Sequence, residues 1–410
     1  MTVDAILDRL LIPRPNGSEG LARTRDFLAH ALERAGATVS YQDFWATPHG
    51  FELTWTVVLI LVAAYVVAIA RRRYGLALLL PVLTAGLLMA EFEYLRSPVS
   101  GLLPASETNV IGTFPGEPGG PTIVFSAHYD TTTHLGDHLD WGRWGFRQGP
   151  ATALALLLAA AGLLLRRRGR ELPRALSVPL AVVSTLPFAA MFVFQAVGPH
   201  VRTPSPGAID NGGSVAALLR LAERLGARPP GAPTTVRLVL LAAEEERALG
   251  SWAYARSLRD AGEDDVLVVN LESIGASDDL GYVPEDGFGL RRYRSPEALV
   301  RLVSSVAERV RGRPLPARPL PFGTLTDGRS FLAQGLPAVT LRAFTEGAFP
   351  RRLHSAHDSR DRLSPDAIER TADLLLALVE RLDRDPAAAR IAAGGADARG
   401  ILTPSPRPAG

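Results

Sequence analysis

Long apolar runs alternate along this chain with segments in which apolar and polar residues recur at helix or strand spacing. Four runs carry no charged residue: 53–70, 75–90, 151–165 and 175–198. Arginine-rich turns, residues 71–73 and 166–174, join them in two pairs. Because a helix needs about 20 apolar residues to cross the hydrocarbon core of a bilayer, the pattern predicts two transmembrane hairpins. The alternative, two pairs of buried core helices, does not explain why both turns carry an arginine triplet.

The rest of the chain alternates short apolar strands with amphipathic helices. The predicted strands are residues 38–44, 108–114, 122–130, 236–243, 265–273 and 336–343. The predicted helices are residues 18–35, 211–225, 249–258, 296–311 and 365–382. Apolar strands that alternate with helices are typical of a mostly parallel sheet with helices on both faces. The sequence therefore predicts an α/β fold that two transmembrane hairpins interrupt.

Composition limits the classes of protein that remain. Of the 410 residues, 47% are hydrophobic, and the mean hydropathy of +0.11 is high for a wholly soluble chain. The chain has no cysteine, which excludes disulfides and thiolate metal sites. The net charge is only +2 and no basic, aromatic-interleaved stripe occurs, so no nucleic acid partner is expected. The first residues lack the pattern of a secretory signal peptide, so none is expected.

Acidic residues and histidines stand where three of the predicted strands end. They are His128, Asp130, Glu244, Glu245, Glu246 and Glu272. Three adjacent glutamates after an apolar strand can be a solvated helix start, where carboxylates are favourable. In a parallel sheet, however, ligands bind beyond the carboxyl ends of the strands. Several carboxylates at one rim repel each other unless a cation lies between them, so the arrangement indicates a metal site.

Two loop residues can complete such a site. Asp210 precedes the predicted helix 211–225, and His354 lies in the segment LHSAHDS. Each also has a simpler interpretation, since Asp210 can cap the helix and His354 can be an ordinary loop residue. His357, three residues further on, is a rival ligand.

Six segments, in this order, resemble the di-zinc aminopeptidases of peptidase family M28, which also contains glutamate carboxypeptidases and glutaminyl cyclases. They are AHYD, GAIDNGGSVAALL, AAEEERALGS, NLESIG, DGRSFLAQGLPA and HSAHDSRD. Residues 14–39 look like the opening helix of that family. The resemblance covers roughly residues 1–50 and 105–380, apart from the apolar hairpin. Any one motif is weak evidence, whereas six in order are strong evidence.

The resemblance implies two zinc ions and a role for each matched ligand. His128 and Glu272 would bind the first zinc ion. Glu245 and His354 would bind the second, and Asp210 would bridge the two. Zinc accepts imidazole nitrogen and carboxylate oxygen, and a catalytic site keeps one position for water.

Two further acids would act without binding metal. The resemblance implies that Asp130 supports the first site from behind. Glu244 would be the general base, which takes a proton from water and passes it to the leaving amine. Glu246 would then be a surplus acid, either solvated or packed near an arginine.

The chain departs from the family pattern at one ligand, because Glu272 stands where the family usually has aspartate. Its extra methylene would shift the carboxylate. His354 is preferred over His357 because the family places its histidine four residues before an acid, here Asp358. A second cluster is predicted to be a polar loop beside the membrane, with an independent metal site as the alternative. It comprises His134, Asp137, His138 and Asp140.

These arguments predict a membrane zinc exopeptidase, most simply an aminopeptidase, that acts on peptides or proteins. The alternatives are glutaminyl cyclase or carboxypeptidase activity, and a binding domain that has lost catalysis. The expected organisation is a catalytic domain in three pieces, two hairpins and a disordered tail. The pieces are residues 1–50, 96–150 and 199–384, the hairpins are residues 51–95 and 151–198, and the tail is residues 385–410.

The arginine turns also predict orientation. Short arginine-rich loops stay in the cytoplasm, so the catalytic domain would lie on the outer side of the cytoplasmic membrane. The second hairpin separates His128 from Asp210, which would share a zinc ion. The cleft is therefore expected close to the bilayer, where membrane-associated peptides would be its substrates.

Overall fold

The fold combines one large sheet with a bundle of four apolar helices. A computed structural model describes residues 1–133, 135, 138–229, 231–321, 323–345 and 352–394. Within these residues the strands are β1 (Thr38–Ala46), β2 (Ala105–Phe114), β3 (Thr122–His128), β4 (Thr235–Leu241), β5 (Leu267–Glu272), β6 (Leu280–Val283), β7 (Glu285–Asp286), β8 (Tyr293–Arg294) and β9 (Ala338–Ala343). All six predicted strands are present.

The sheet has the strand order β1-β2-β4-β3-β5-β9-β6. Its four central strands, β4, β3, β5 and β9, run parallel to one another. The outer strands β1, β2 and β6 pair antiparallel with their neighbours. The prediction of a mostly parallel sheet therefore holds at the centre, while the edges make the sheet mixed. The short strands β7 and β8 form a separate ribbon.

Helices account for most of the remaining chain. They are α1 (Val3–Leu10), α2 (Glu19–Arg34), α3 (Gly50–Ala70), α4 (Tyr74–Leu88), α5 (His138–Arg167), α6 (Arg174–Phe192), α7 (Gly198–Val201), α8 (Gly213–Leu225), α9 (Leu249–Asp260), α10 (Glu297–Arg311), α11 (Gly328–Ala333), α12 (Pro365–Arg384) and α13 (Pro386–Gly394). Ser18 caps α2, because its hydroxyl accepts a hydrogen bond from the backbone nitrogen of Leu21. The π-helical turns Met89–Glu93 and Val193–Val197 extend α4 and α6.

Helices cover both faces of the sheet, as the sequence predicted. Alternate residues of a strand point to opposite faces. Leu238 and Leu240 of β4 join the large core formed with α1, α2, α8, α10 and α12. Val239 and Leu241 of the same strand join a smaller core formed with α9 and α11. This double burial explains the almost uninterrupted apolar sequence of the central strands.

The two apolar hairpins pack together as one bundle of α3, α4, α5 and α6. Four of its helical stretches are long and apolar enough to cross a membrane: Gly50–Ala70, Tyr74–Glu93, Arg147–Arg167 and Arg174–Val201. The two arginine turns meet at one end of the bundle, where Arg72 forms an ion pair with Glu171. Arg166 also donates a hydrogen bond to the carbonyl oxygen of Arg72 at 3.0 Å. The opposite end of the bundle contacts the sheet domain.

Helix α13 lies inside the segment that the sequence analysis expected to be disordered. Its small residues Ala389 and Ala392 are buried in the large core. An alanine-rich segment has high helix propensity, and contact with α10 and α12 supplies the burial that its composition alone does not reveal. Residues 395–410 lie outside the described residues.

Candidate metal centre

The predicted site residues meet at the carboxyl ends of the central parallel strands. His128 is the last residue of β3 and Glu272 is the last residue of β5. Glu244 and Glu245 lie three and four residues after β4, which ends at Leu241, and β3 lies between β4 and β5 in the sheet. Strand register alone therefore places these side chains along one rim, and the loops that carry Asp210 and His354 close over it.

A first group of possible metal ligands consists of His128, Asp210 and Glu272. One ligand atom from each lies within 4.8 Å of the other two. Nε2 of His128 lies 3.1 Å from an Oδ1 atom of Asp210 and 3.9 Å from Oε2 of Glu272. His128 and Asp210 are buried, so the group lies in the interior of the rim.

A second group consists of Asp210, Glu245 and His354, again with ligand atoms within 4.8 Å of one another. Nε2 of His354 lies 2.9 Å from Oδ2 of Asp210 and 3.2 Å from Oε2 of Glu245. Asp210 thus presents one carboxylate oxygen to each group. The rival His357 is exposed and belongs to neither group.

Glu244 lies beside these groups without joining either of them. Its Oε2 atom lies 3.9 Å from Nε2 of His128, and its side chain lines the cleft above the ligands. A carboxylate in this position can contact a water molecule held at the centre. The geometry suits a proton acceptor rather than a ligand.

Asp130 is fully buried and fixes the loop that follows β4. Its carboxylate accepts hydrogen bonds from the backbone nitrogens of Glu244 and Glu245, each at 3.2 Å. Its Oδ1 atom lies 3.4 Å from Nδ1 of His128. Asn16 donates to the same carboxylate at 2.9 Å and accepts from the backbone nitrogen of Ala243 at 3.1 Å. Asn16 is a contributor that the sequence analysis missed, although it lies in the matched opening segment.

Asp358 orients the backbone of Asp210 from the other side. Its carboxylate accepts hydrogen bonds from the backbone nitrogens of Ile209 at 2.9 Å and Asp210 at 3.1 Å. The side chain is fully buried, and burial raises the pKa of Asp358 to about 6. The acid four residues after His354 therefore holds the backbone of Asp210 rather than a metal.

Arg14 holds both ends of the second insertion together and was not singled out from the sequence. Its fully buried guanidinium donates to the carbonyl oxygens of Tyr129 at 2.6 Å and Gly207 at 3.0 Å. Burial lowers the pKa of Arg14 to about 10. Gly207 has a φ of 60°, and a Cβ there would lie 2.2 Å from a methyl group of Thr131. This tight turn brings Asp210 back to within reach of His128.

The electrostatics of the cluster show a strong excess of negative charge. Burial raises the pKa of Glu244 and of Glu245 well above its usual value, and neighbouring carboxylates add to this effect. Burial likewise raises the pKa of Glu272 to about 8. Burial alone would lower the pKa of His128, but the facing carboxylates outweigh it and raise that pKa well above its usual value.

Asp210 shows the opposite behaviour. Burial disfavours its charge, but contacts with the two histidines outweigh burial and hold the pKa of Asp210 well below its usual value. Asp327, in the matched segment DGRSFLAQGLPA, adds another buried acid near Glu244, and burial raises the pKa of Asp327 to about 7. Asp327 was not among the site residues predicted from the sequence.

The donor set fits divalent metal ions such as zinc. Both ring nitrogens of His128 and Oε1 of Glu245 are buried without a hydrogen bond to any described residue. The nearest oxygens of Asp130 and Asp210 lie 3.4 Å and 3.1 Å from these nitrogens. Unpaired buried polar atoms cost free energy, and a cation would satisfy both these atoms and the excess charge. Imidazole and carboxylate are the ligands zinc takes in catalytic sites.

Glu246 is buried rather than solvated. Its carboxylate accepts a hydrogen bond from the backbone nitrogen of Thr47 at 2.7 Å, and burial raises the pKa of Glu246 to about 8. The charge of the neighbouring Arg247 opposes that shift. Of the two alternatives predicted for Glu246, packing near an arginine is therefore the one observed. The cluster of His134, Asp137, His138 and Asp140 has side chains outside the described residues.

A cleft that encloses about 800 Å³, open space at its mouth included, leads to the centre. The ligands Asp210, Glu245 and His354 form part of its lining. Its walls also include residues of the apolar hairpins. They are Phe51 of α3, Phe92 of the turn after α4 and Gln195 of the turn after α6.

The fold is similar to that of solved aminopeptidases and glutaminyl cyclases. The chain is similar to the glutaminyl cyclase of Fimbriiglobus ruber, with 16% identity, a TM-score of 0.54 and 92% of each chain covered. It is similar to the LapA aminopeptidase of Legionella pneumophila, with 12% identity and a TM-score of 0.53, over 93% of this chain and 71% of that one. The chain is also similar to a leucine aminopeptidase precursor of Bacteroides thetaiotaomicron, with 15% identity and a TM-score of 0.52, over 92% of this chain and 94% of that one. At these identities the likeness concerns the fold alone.

The sequence gives a more specific match. Residues 193–379 match the model of peptidase family M28, which is less than half of the chain. The matched part contains four of the five predicted ligands, Asp210, Glu245, Glu272 and His354, and the predicted base Glu244. No curated protein sequence matches the chain.

Proposed function

We propose that this protein is a zinc-dependent exopeptidase of the M28 type, an aminopeptidase with two zinc ions and Glu244 as the general base. The observation that carries the proposal is the pair of overlapping ligand groups that share Asp210. A bridging carboxylate with one histidine on each of its oxygens suits two ions rather than one. The family match over residues 193–379 and the similarity in fold to a solved aminopeptidase support the proposed peptidase activity.

Each residue of the site then has a distinct task. Zinc, when bound, polarises the scissile carbonyl group and lowers the pKa of water. His128 and Glu272 would hold the first ion and Glu245 and His354 the second. Asp210 would contribute to both sites. Glu244 takes the proton from the attacking water and passes it to the leaving amine. Its burial near other carboxylates makes it a proton acceptor whose strength depends on the bound cations.

Two buried acids position this machinery without touching the substrate. Asp130 holds the backbone of Glu244 and Glu245, so the base and a ligand keep a fixed relation to His128. Asp358 holds the backbone of Asp210. Such supporting contacts commonly change metal affinity or activity by about 10–100-fold when they are removed.

We further propose that the four apolar helices span the cytoplasmic membrane and divide the catalytic domain into three pieces. Their outward side chains are exposed and apolar, which suits contact with lipid. Examples that are more than half exposed are Ile60, Val67, Leu79, Val82, Leu157 and Leu186. The arginine turns lie together at one end of the bundle and would face the cytoplasm. The cleft, lined at the opposite end, would then open outside the cytoplasmic membrane.

The position of the cleft defines the substrates that reach it. Phe51, Phe92 and Gln195 lie at the ends of their helices away from the arginine turns and line the cleft. The metal centre would therefore sit at the bilayer surface. Peptides or protein tails associated with the membrane are the expected substrates, and lipid is the expected neighbour of the hairpins.

The alternative enzyme is a glutaminyl cyclase, because a structural neighbour of that activity has the same fold. A cyclase would use fewer metal ions and release ammonia. Carboxypeptidase activity would require an arginine for the substrate carboxylate, and Arg342 lines the cleft. A non-catalytic binding domain would bind no zinc.

Metal analysis and a substrate panel separate these activities. The protein, purified in detergent, is expected to contain two zinc ions per chain and to cleave peptides with a free N-terminus. Acetylated peptides should resist cleavage, and amidated C-termini should not matter. A chelator should abolish cleavage and added zinc should restore it. One zinc ion with ammonia release from an N-terminal glutamine would support the cyclase, and cleavage that needs a free carboxylate would support the carboxypeptidase.

A further inference from the structure

The apolar hairpins contribute a wall to the cleft, and this wall is aromatic. Phe92 follows α4, and its ring lies 5.7 Å from that of Phe51 at the start of α3. On its other side Phe92 stacks on Phe288 of the sheet domain, with ring centroids 5.3 Å apart and an angle of 18°. All three rings line the cleft that contains the ligands. We call these three residues the aromatic wall.

The local backbone explains how helices of the bundle reach the cleft. Phe92 lies in the π-helical turn Met89–Glu93, and Gln195 lies in the corresponding turn Val193–Val197 after α6. A π-helical turn inserts a residue into a helix and redirects the side chains beyond it, and such turns occur frequently at functional sites. Both turns lie at the end of the bundle that contacts the sheet domain. Each places one side chain in the lining.

Gln195 is a polar residue in an otherwise apolar part of the lining. It is 2% exposed, and its amide oxygen has no hydrogen bond to any described residue. A buried acceptor without a partner destabilises the protein by itself. An N–H group of a peptide bound in the cleft would satisfy it. The amide therefore points to a ligand, whereas the aromatic rings alone also suit simple packing between the bundle and the sheet domain.

We infer that the hairpins form the specificity pocket: Phe51, Phe92 and Phe288 receive the apolar side chain of the substrate's terminal residue, and Gln195 accepts a hydrogen bond from its backbone. This inference rests on the proposed peptidase activity and names the substrate class, peptides with a large apolar residue such as leucine or phenylalanine at the N-terminus. Leu320 and Leu353 add to the apolar lining. Transfer of such a side chain from water into an apolar pocket is favourable, whereas a carboxylate or guanidinium would lose its hydration there.

The test compares substrates rather than total activity. The protein in detergent is assayed with the 4-nitroanilides of leucine, phenylalanine, aspartate and arginine. The wild type should prefer leucine and phenylalanine. Phe92→Ala should reduce that preference at least about tenfold in kcat/KM, the scale on which apolar pockets discriminate. Gln195→Met should raise KM for every substrate with a smaller change in kcat, since it removes a contact to the backbone.

Controls separate a specificity role from a structural one. Leu83→Ala alters an exposed residue of α4 outside the cleft and should leave the preference unchanged. Phe92→Leu keeps an apolar wall and should restore most of the preference. A uniform loss for all four substrates in Phe92→Ala, or an unchanged ratio at full activity, would overturn the inference. So would a wild-type preference for aspartate or arginine.

A binding measurement keeps the inference testable if the proposed activity fails. Leucine hydroxamate and aspartate hydroxamate are titrated calorimetrically into the zinc-loaded protein. Tighter binding of leucine hydroxamate, lost in Phe92→Ala, supports the pocket even if no nitroanilide is cleaved. In that case the proposed function is wrong and the pocket stands. Equal binding of both hydroxamates contradicts the pocket, whatever the protein hydrolyses.

Discussion

Arg247 and Glu91 form a buried ion pair that ties the loop after β4 to the end of the first hairpin. The Arg247 guanidinium lies 2.7 Å from Oε2 of Glu91, and the two side chains are 5% and 0% exposed. Arg247 also donates to the hydroxyl of Thr47 at 3.0 Å. Because Arg247 follows the proposed ligand Glu245 by two residues, the ion pair connects the hairpin to the metal centre through a short piece of backbone.

Removal of Glu91 should therefore destabilise the protein strongly. Loss of one partner of a buried ion pair leaves an uncompensated charge and costs about 3–5 kcal/mol. Thermal unfolding of Glu91→Ala in detergent should show a clear decrease in midpoint. Glu19→Ala is the matched control, because Glu19 pairs with Arg23 at the exposed surface and should contribute less than about 1 kcal/mol. Equal decreases in the unfolding midpoint for the two substitutions would show that the buried ion pair stabilises the protein no more than the exposed one.

Substitution of the adjacent Glu244 and Glu245 should affect different properties, catalysis in one case and zinc content in the other. Glu244→Gln is expected to keep two zinc ions and to lower kcat by about 10²–10⁴, because general-base catalysis contributes on that scale. Glu245→Gln should lower the zinc content, since one ligand of the second group is weakened. Elemental analysis of both variants, beside peptide cleavage assays, makes the comparison. If Glu244→Gln loses a zinc ion and Glu245→Gln retains both, the two roles are exchanged.

The histidine loop offers a second matched pair. His354→Ala should lose the second zinc ion, because His354 contacts both Asp210 and Glu245. His357→Ala should retain both ions and full activity, because His357 is exposed. Zinc content after dialysis against zinc-free buffer gives the answer. Loss of metal from His357→Ala alone would make it the ligand.

Asp358 should control zinc affinity without binding zinc. In Asp358→Asn one carboxylate oxygen becomes a donor, so the hydrogen bonds from Ile209 and Asp210 cannot both survive. We expect zinc affinity to fall by about 10–100-fold, as for other residues that support ligands. Asp361→Asn in the same loop is the control, because Asp361 is exposed and bonds only to Ser359 among the described residues. Competition with a fluorescent chelator measures both affinities, and equal values would exclude the orienting role.

The orientation in the membrane can be tested with reporter fusions. A fusion at Arg168, in the second arginine turn, should report the cytoplasm, because short arginine-rich loops stay inside. A fusion after Gly394 should report the outer side, because four spans return the chain to the side where it began. Alkaline phosphatase and green fluorescent protein are complementary reporters for the two sides. A cytoplasmic signal from the fusion after Gly394 would contradict the proposed topology.

The sequence predicted the features that depend on local periodicity. The six strands and five of the helices were predicted because buried faces repeat at fixed intervals, and the apolar hairpins because their composition is extreme. The short helices α1 and α11 were not predicted. The proposed ligands His128, Glu245 and Glu272 were predicted because they stand at or shortly after the ends of strands. Asp210 and His354, in loops, were predicted from the segments that resemble the family. The signal from strand ends is strong for Glu244 and Glu245, which lie three and four residues after the central strand β4.

The missed features depend on contacts between distant parts of the chain. Arg14 binds backbone carbonyl groups of residues more than 100 positions away, and carbonyl groups leave no trace in the sequence. In the sequence, Phe92 and Gln195 lie in or beside apolar runs and carry no signal of a site. The π-helical turns of the structure place them in the cleft. The strands β6, β7 and β8 are too short for periodicity to be visible. Helix α13 forms because the core offers it a place to pack.

The strand order has a consequence for biosynthesis. Ala46 pairs with Ala105 across the first hairpin, and β4 lies between β2 and β3 although it follows the second hairpin in the chain. A nascent chain therefore has no central strand to join β2 to β3 until residues 235–241 have been translated. By then all four apolar helices have left the ribosome. In the proposed topology, all four apolar helices are therefore available to the bilayer before the sheet can close.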